Sequence, residues 1–183
     1  LQPGDTLYIA AGTYSGLSIS NLSGSAAAPI IIQCDPNAVF TNPGPVTNTF
    51  SNLAYLRFEN FRYENYASRL MQISGVCHDL LFKDFRLTNI GDYGFRIYDA
   101  AQVFNGSKLS TYYNFRWENM VVNGANCPVI TNADWASVSN LKSMLLDFEI
   151  VGCTFSNIRG GVLELNKCFN LKLYNCTFSD IIS

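Results

Sequence analysis

Asn60-Phe-Arg-Tyr-Glu-Asn-Tyr66 and Asp84-Phe-Arg-Leu-Thr-Asn-Ile90 share one pattern: Asn or Asp, two apolar residues at alternate positions, a second Asn, and a further apolar residue. Asn119-Met-Val-Val-Asn-Gly-Ala125, Gly152-Cys-Thr-Phe-Ser-Asn-Ile158 and Asn175-Cys-Thr-Phe-Ser-Asp-Ile181 repeat it without gaps, with Gly or Asp filling some polar positions. Alternation at period two marks β-strands, because successive side chains leave a strand on opposite faces. Internal copies of a short strand signature mark a stacked, solenoidal chain, in which each copy buries its apolar face against the next.

The alternation extends upstream. The fourth and second residues before each copy are Leu56/Phe58, Leu80/Phe82, Phe115/Trp117, Phe148/Ile150 and Leu171/Leu173, all apolar. The copies begin at 60, 84, 119, 152 and 175, so they are separated by 24, 35, 33 and 23 residues. A coil of about 22–25 residues with three short strands accounts for the shorter spacings. Surface insertions from Asp99 to Thr111 and from Asn132 to Ser143 account for the longer ones. The expected fold is all-β, a parallel β-helix forming one domain over residues 1–183, and right-handed because parallel crossovers take that hand.

Asn, Asp and Gly tolerate the left-handed backbone that a sharp corner needs. Stacked coils would gather them into ladders, one of Asn60, Asp84, Asn119, Gly152 and Asn175. Another would contain Asp79, Asn114, Asp147 and Asn170, with Tyr55 as the exception. In the same alignment Phe61, Phe85, Met120, Cys153 and Cys176 form one inward column. Buried thiols there act as small apolar residues.

The chain has 183 residues, 48% hydrophobic and only 14% charged, with a formal net charge of −2. That is enough apolar material for a continuous core. No run of Lys or Arg supplies the electrostatic footprint of nucleic-acid binding, so DNA and RNA are not expected partners. No stretch approaches the roughly 20 apolar residues of a membrane-spanning helix, and no membrane span is expected.

Chemistry is sparser. Outward positions place Glu59, Lys83 and Glu118 in one row and Arg62 above Arg86 in another, suited to ion pairs or to a small polar patch. His78 beside Asp79 is either an acid–base group or a solvated turn residue. A further strand of each coil reads Arg69-Leu-Met-Gln-Ile73, Tyr93-Gly-Phe-Arg-Ile97, Pro128-Val-Ile-Thr131 and Gly161-Val-Leu-Glu-Leu165. Its outward residues Gln72, Arg96 and Glu164 lie between the insertions, on which Lys108, Tyr112, Tyr113 and Trp135 are expected. Loops beside a flat sheet build a groove, and aromatic rings there can stack on sugars. Arg96 with Lys108 is the candidate catalytic pair; Gln72, Tyr112, Tyr113, Trp135 and Glu164 are candidate substrate-binding residues. No metal site is assigned.

The opening, Pro3-Gly-Asp-Thr-Leu-Tyr-Ile-Ala-Ala-Gly-Thr-Tyr-Ser-Gly16 and then Asn21-Leu-Ser-Gly-Ser-Ala-Ala-Ala-Pro-Ile-Ile-Ile-Gln33, resembles the first coils of right-handed parallel β-helix proteins. It is most similar to polysaccharide lyase family six, the chondroitinase B and alginate lyase group. The resemblance covers about a fifth of the chain and implies a secreted, extracellular or cell-surface protein that binds or cleaves an acidic polysaccharide. Cleavage would be β-elimination, in which a base removes the C5 proton and cations stabilise the carboxylate. No cofactor is expected; calcium enters only through the resemblance, and the family's Lys and Arg align with no residue here.

The sequence stops at Asp180-Ile-Ile-Ser183, directly after a core strand. Solenoid ends need covering, so either further coils or self-association through a terminal coil is expected. The alternative function is therefore a non-catalytic structural or adhesive surface protein assembling end to end.

Overall fold

A computed structural model of the chain describes residues 1–44, 48–97, 110–132, 143–165 and 168–182. Among the described residues there are 19 strands and no helix, and every strand pairing is parallel. No helix of the described residues is long and apolar enough to cross a membrane.

The strands fall into three columns that the chain visits in turn. The first column contains Thr6–Ile9, Ile30–Cys34, the second half of Thr49–Glu59, His78–Lys83, Ser110–Glu118, Ser143–Val151 and Cys168–Tyr174. The second contains Gly12–Tyr14, Ala38–Phe40, Arg62–Tyr66, Arg86–Ile90, Val121–Ala125, Thr154–Arg159 and Thr177–Ile182. The third contains Ile19–Ser23, the first half of Thr49–Glu59, Met71–Ser74, Phe95–Ile97, Ile130–Thr131 and Leu163–Glu164. Because Thr49–Glu59 runs through both, the first and third columns form one 12-stranded sheet, and the second is a separate 7-stranded sheet.

Register follows the sequence signature. Phe61, Phe85, Met120 and Cys153 are fully buried, Phe61 stacks on Phe85 at 5.1 Å, and the Met120 N–H lies 3.4 Å from Cys153 Sγ. Cys176 packs partly buried at the end of that column. Of the ten upstream apolar residues eight are buried, while Leu171 and Leu173 on the last first-column strand are exposed. The inner face carries an aromatic file: Phe58 on Phe82 at 5.3 Å, Phe82 on Trp117 at 4.9 Å, and Trp117 on Phe148 at 4.5 Å. Each such ring removed from water contributes roughly 1.5–3 kcal/mol, which makes the file a principal source of stability.

The corners are left-handed where the ladders require it. Asn60, Asp84, Asn119 and Asn175 have φ of 62°, 57°, 55° and 53°, and Gly152 takes the same slot at 64°. Asp79, Asn114, Asp147 and Asn170 form the second ladder with φ of 53–57°, and Tyr55 joins them at 55°. Their side chains bond from pass to pass: Asn114 Nδ2 donates to Asp79 at 2.9 Å, Asn119 to Asp84 at 3.2 Å, and Asn170 to Asp147 at 2.9 Å.

Two expectations need correction. The insertions are shorter than the spacing suggests, because Ser110 and Thr111 already belong to Ser110–Glu118 and Ser143 opens Ser143–Val151. Tyr112, expected on a loop, is 1% exposed in the core, with its ring edge-on to Phe115 at 6.1 Å. The polar Ser110 and Thr111 before it disguised a strand start as loop.

Candidate functional site

The third column brings together residues that are scattered along the chain. Thr49 pairs with Gln72, Gln72 with Arg96, Arg96 with Thr131, and Thr131 with Glu164, so five side chains form one row at strand spacing. Neighbours on either side along each strand are apolar and buried: Met71 and Ile73 beside Gln72, Phe95 and Ile97 beside Arg96. The period-two pleat therefore turns Gln72 and Arg96 outward. The row crosses the strands that precede residues 98–109 and 133–142 in the chain.

Around the row is a polar cluster. Thr131 Oγ1 donates to Glu164 Oε2 at 3.2 Å. Arg69 Nη1 donates to Gln72 Oε1 at 3.1 Å, and Arg69 Nε lies 3.4 Å from Asp92 Oδ2. The Arg96 guanidinium sits 5.7 Å from the centre of the Tyr93 ring, within cation–π range. Cys127 shares this neighbourhood: its thiol is pushed up by burial first, then by Asp92 and by Glu164. That thiol stays protonated at neutral pH, which makes it a poor nucleophile.

Gln72, Arg96 and Glu164 thus come together as the sequence suggests, whereas Tyr112 belongs to the core. Lys108 and Trp135 lie outside the described residues. Tyr113 belongs to Ser110–Glu118 and points out of the first column, where its ring lies parallel to His78 at 4.7 Å. His78 Nδ1 is 2.7 Å from Asp79 Oδ2, with the edge of Tyr55 at 5.2 Å. Sequence reasoning missed Arg69, Asp92 and Thr131 as members of the cluster. Their signal was the equivalent placement of Thr131 with Gln72, Arg96 and Glu164, and the position of Arg69 and Asp92 just before their strands.

The first column carries a separate ion-pair network. Arg116 reaches Glu118 at 3.0 Å and Glu149 at 2.6 Å, Lys172 reaches Glu149 at 3.2 Å, and Lys83 reaches Glu118 at 3.7 Å. Hydrogen bonds from Arg116 and then Lys172 hold the Glu149 carboxyl below its ordinary range. These groups satisfy one another, so the network reads as a sheet-surface device and the third-column cluster as the better place for chemistry. Among the described residues, no three His, Cys, Asp or Glu side chains gather as calcium would need.

No protein-family model matches the chain, and no curated protein matches it. Among solved structures, it is similar to a Parabacteroides merdae protein described as a "putative glycosyl hydrolase", with a TM-score of 0.63 and 15% identity over 94% of this chain and 80% of that one. At that identity the likeness is one of fold. Fold and register together define the class as all-β, built of parallel strands in stacked columns.

Proposed function

We propose that this chain is part of a secreted right-handed parallel β-helix protein that binds and cleaves an acidic polysaccharide at the third-column row. The observation that carries this reading is the Gln72–Arg96–Thr131–Glu164 row, which sets an amide, a guanidinium, a hydroxyl and a carboxylate along one line. Fold similarity to a protein whose description is a glycosyl hydrolase supports a carbohydrate substrate, and the Pro3–Gln33 resemblance supports an acidic one.

In this reading Arg96 pairs with a substrate carboxylate and stabilises the charge that develops on it, since a preorganised cation acts most strongly where water is excluded. Glu164, oriented by Thr131, takes the C5 proton as the C4–C5 double bond forms and the C4–O4 bond breaks, and returns a proton to the departing oxygen. Gln72, held by Arg69, donates to a ring hydroxyl.

The test is ultraviolet absorbance of unsaturated uronates released from alginate, chondroitin and pectate, with and without calcium, for the wild type and Arg96→Ala. Product from the wild type and at least a hundredfold less from Arg96→Ala supports the reading. Equal product from both, or none from any substrate, overturns it.

A further inference from the structure

A second surface carries a ligand-binding geometry that the third-column row does not use. Where the first column turns into the second, a groove of about 710 Å³ crosses three successive passes of the chain, within the roughly 300–1,000 Å³ of ligand sites. Pro36 closes one end, and the corner residues Asn60, Asp84 and Asn119 form one wall. Its floor is two rows in strict register: Arg62, Arg86 and Val121, and beside them Glu64, Thr88 and Asn123.

Charge in this groove is distributed unevenly. Arg62 is bound within its own strand, its Nε donating to Glu64 Oε1 at 2.6 Å, and Asp84 accepts the amide of Asn119 at 3.2 Å. Arg86 is exposed and carries no such ion pair to Glu64 or Asp84. It therefore stands as an exposed fork of donors between the Arg62–Glu64 ion pair and the uncharged Val121 and Asn123, with the amide-bonded Asp84 the one carboxylate of the lining not held in an ion pair among the described residues. Beyond the groove both rows continue as hydroxyls: Val121 to Thr154 and Thr177, Asn123 to Ser156 and Ser179.

Rows of this kind suit a polymer. Equivalent side chains recur at the strand spacing of about 4.8 Å along the stacking direction, close to the length of one sugar unit in an extended chain. A glycan laid along that direction meets Asn60, Arg62 and Glu64 at one unit, Asp84, Arg86 and Thr88 at the next, and Asn119 and Asn123 flanking Val121 at the third. The geometry points to a glycan-binding groove over Arg86, distinct from the third-column row, that takes an extended anionic oligosaccharide with one carboxylate or sulfate on Arg86 and its hydroxyls on Asn60, Thr88, Asn119 and Asn123. This rests on the acidic-polysaccharide reading for the nature of the ligand and not for the site. It would hold the chain while cleavage proceeds elsewhere on the same molecule.

The experiment is calorimetric titration of the Arg96→Ala protein, to silence turnover, with three hexasaccharides: one of uronic acids, one sulfated and one neutral. Binding of either anionic probe, weakened at least tenfold by adding Arg86→Ala and about two- to threefold by adding Thr88→Ala, supports the groove. Arg86→Lys should fall between, because it keeps the charge and loses the fork. Binding of the neutral probe as tightly as the anionic ones, anionic affinity unchanged by Arg86→Ala, or binding of no probe overturns it. Cleavage by otherwise wild-type protein is scored separately. If no substrate is cleaved while Arg86→Ala still abolishes binding, the cleavage reading fails and the groove stands.

Discussion

Thr131 and Glu164 face each other in register across adjacent strands, and the Thr131 hydroxyl donates to the Glu164 carboxylate at 3.2 Å. Thr131 is wholly buried and Glu164 half-buried, and as register partners they share one face of the sheet, so the hydroxyl anchors the carboxylate from the adjacent strand. Thr131→Val keeps the branched shape and removes the anchor. Turnover of an acidic polysaccharide should fall roughly tenfold in kcat with little change in KM, since orientation of a proton-transferring group is lost while substrate contacts remain. Stability should fall by no more than about 1.5 kcal/mol, the scale of one hydrogen bond. A larger loss of stability measured by urea unfolding would mean that Thr131 matters to packing and not to Glu164.

Arg116, Glu118, Glu149 and Lys172 predict a defined pH dependence. The Glu149 carboxyl is held below its ordinary 4.5, by the hydrogen bond from Arg116 first and from Lys172 second. A carboxyl depressed by folding stabilises the folded state above its unfolded pKa and loses that contribution as the pH falls through the folded value. Glu149→Gln should therefore cost up to about 1 kcal/mol at pH 7. The difference from wild type should shrink progressively below pH 4.5. Raising salt to about 1 M should shrink it too, because the groups are partly exposed and screened. Thermal unfolding of both proteins at pH 3 and pH 7 reads this directly.

The strand columns were legible because burial in a sheet imposes period two and stacking imposes equivalence: Phe61, Phe85, Met120 and Cys153 could be aligned before any contact was known. Ladder residues were legible for a similar reason, since a left-handed corner admits few residue types. Tyr55 broke the pattern in sequence yet keeps the backbone, at φ 55°, against a steric cost of roughly 1–2 kcal/mol for a residue with a Cβ. What the alignment left out were relationships between different columns and loops. Cys127, Asp92 and Arg69 reach the third-column row from turns, and Pro36 closes the groove over Arg86 from an earlier pass. No periodicity encodes such meetings. Tyr112 shows the converse error, where polar neighbours concealed a core position.

Asn114 separates the two roles of a ladder residue. Its φ is 56°, and its amide donates to Asp79 at 2.9 Å. Asn114→Gly keeps the backbone freedom and loses the bond, which predicts a loss of about 1 kcal/mol. Asn114→Ala loses the bond too and keeps a Cβ in the left-handed region without the polar side chain that eases that conformation, so it should cost roughly 1–2 kcal/mol more than Asn114→Gly. Urea midpoints should rank wild type, then Gly, then Ala. The reverse order for Gly and Ala would show that the corner relaxes out of the left-handed conformation.

Trp117 tests the aromatic file. It is fully buried between Phe82 at 4.9 Å and Phe148 at 4.5 Å, and its indole N–H is buried without a hydrogen-bond partner. Trp117→Ala removes the ring from the middle of the file and should cost about 3–5 kcal/mol. Trp117→Phe keeps a ring between the same neighbours and removes the unsatisfied donor, which offsets part of the cavity it leaves. Its cost should be nearer 1–2 kcal/mol, within the range of a partial loss of buried volume. Equal losses for the two variants would mean that the stack itself contributes little and that the indole's full volume is what the core requires. A small loss for Phe and a large one for Ala places the stability in ring-on-ring packing between passes, both in register, as for Phe82 and Trp117, and on the diagonal, as for Trp117 and Phe148.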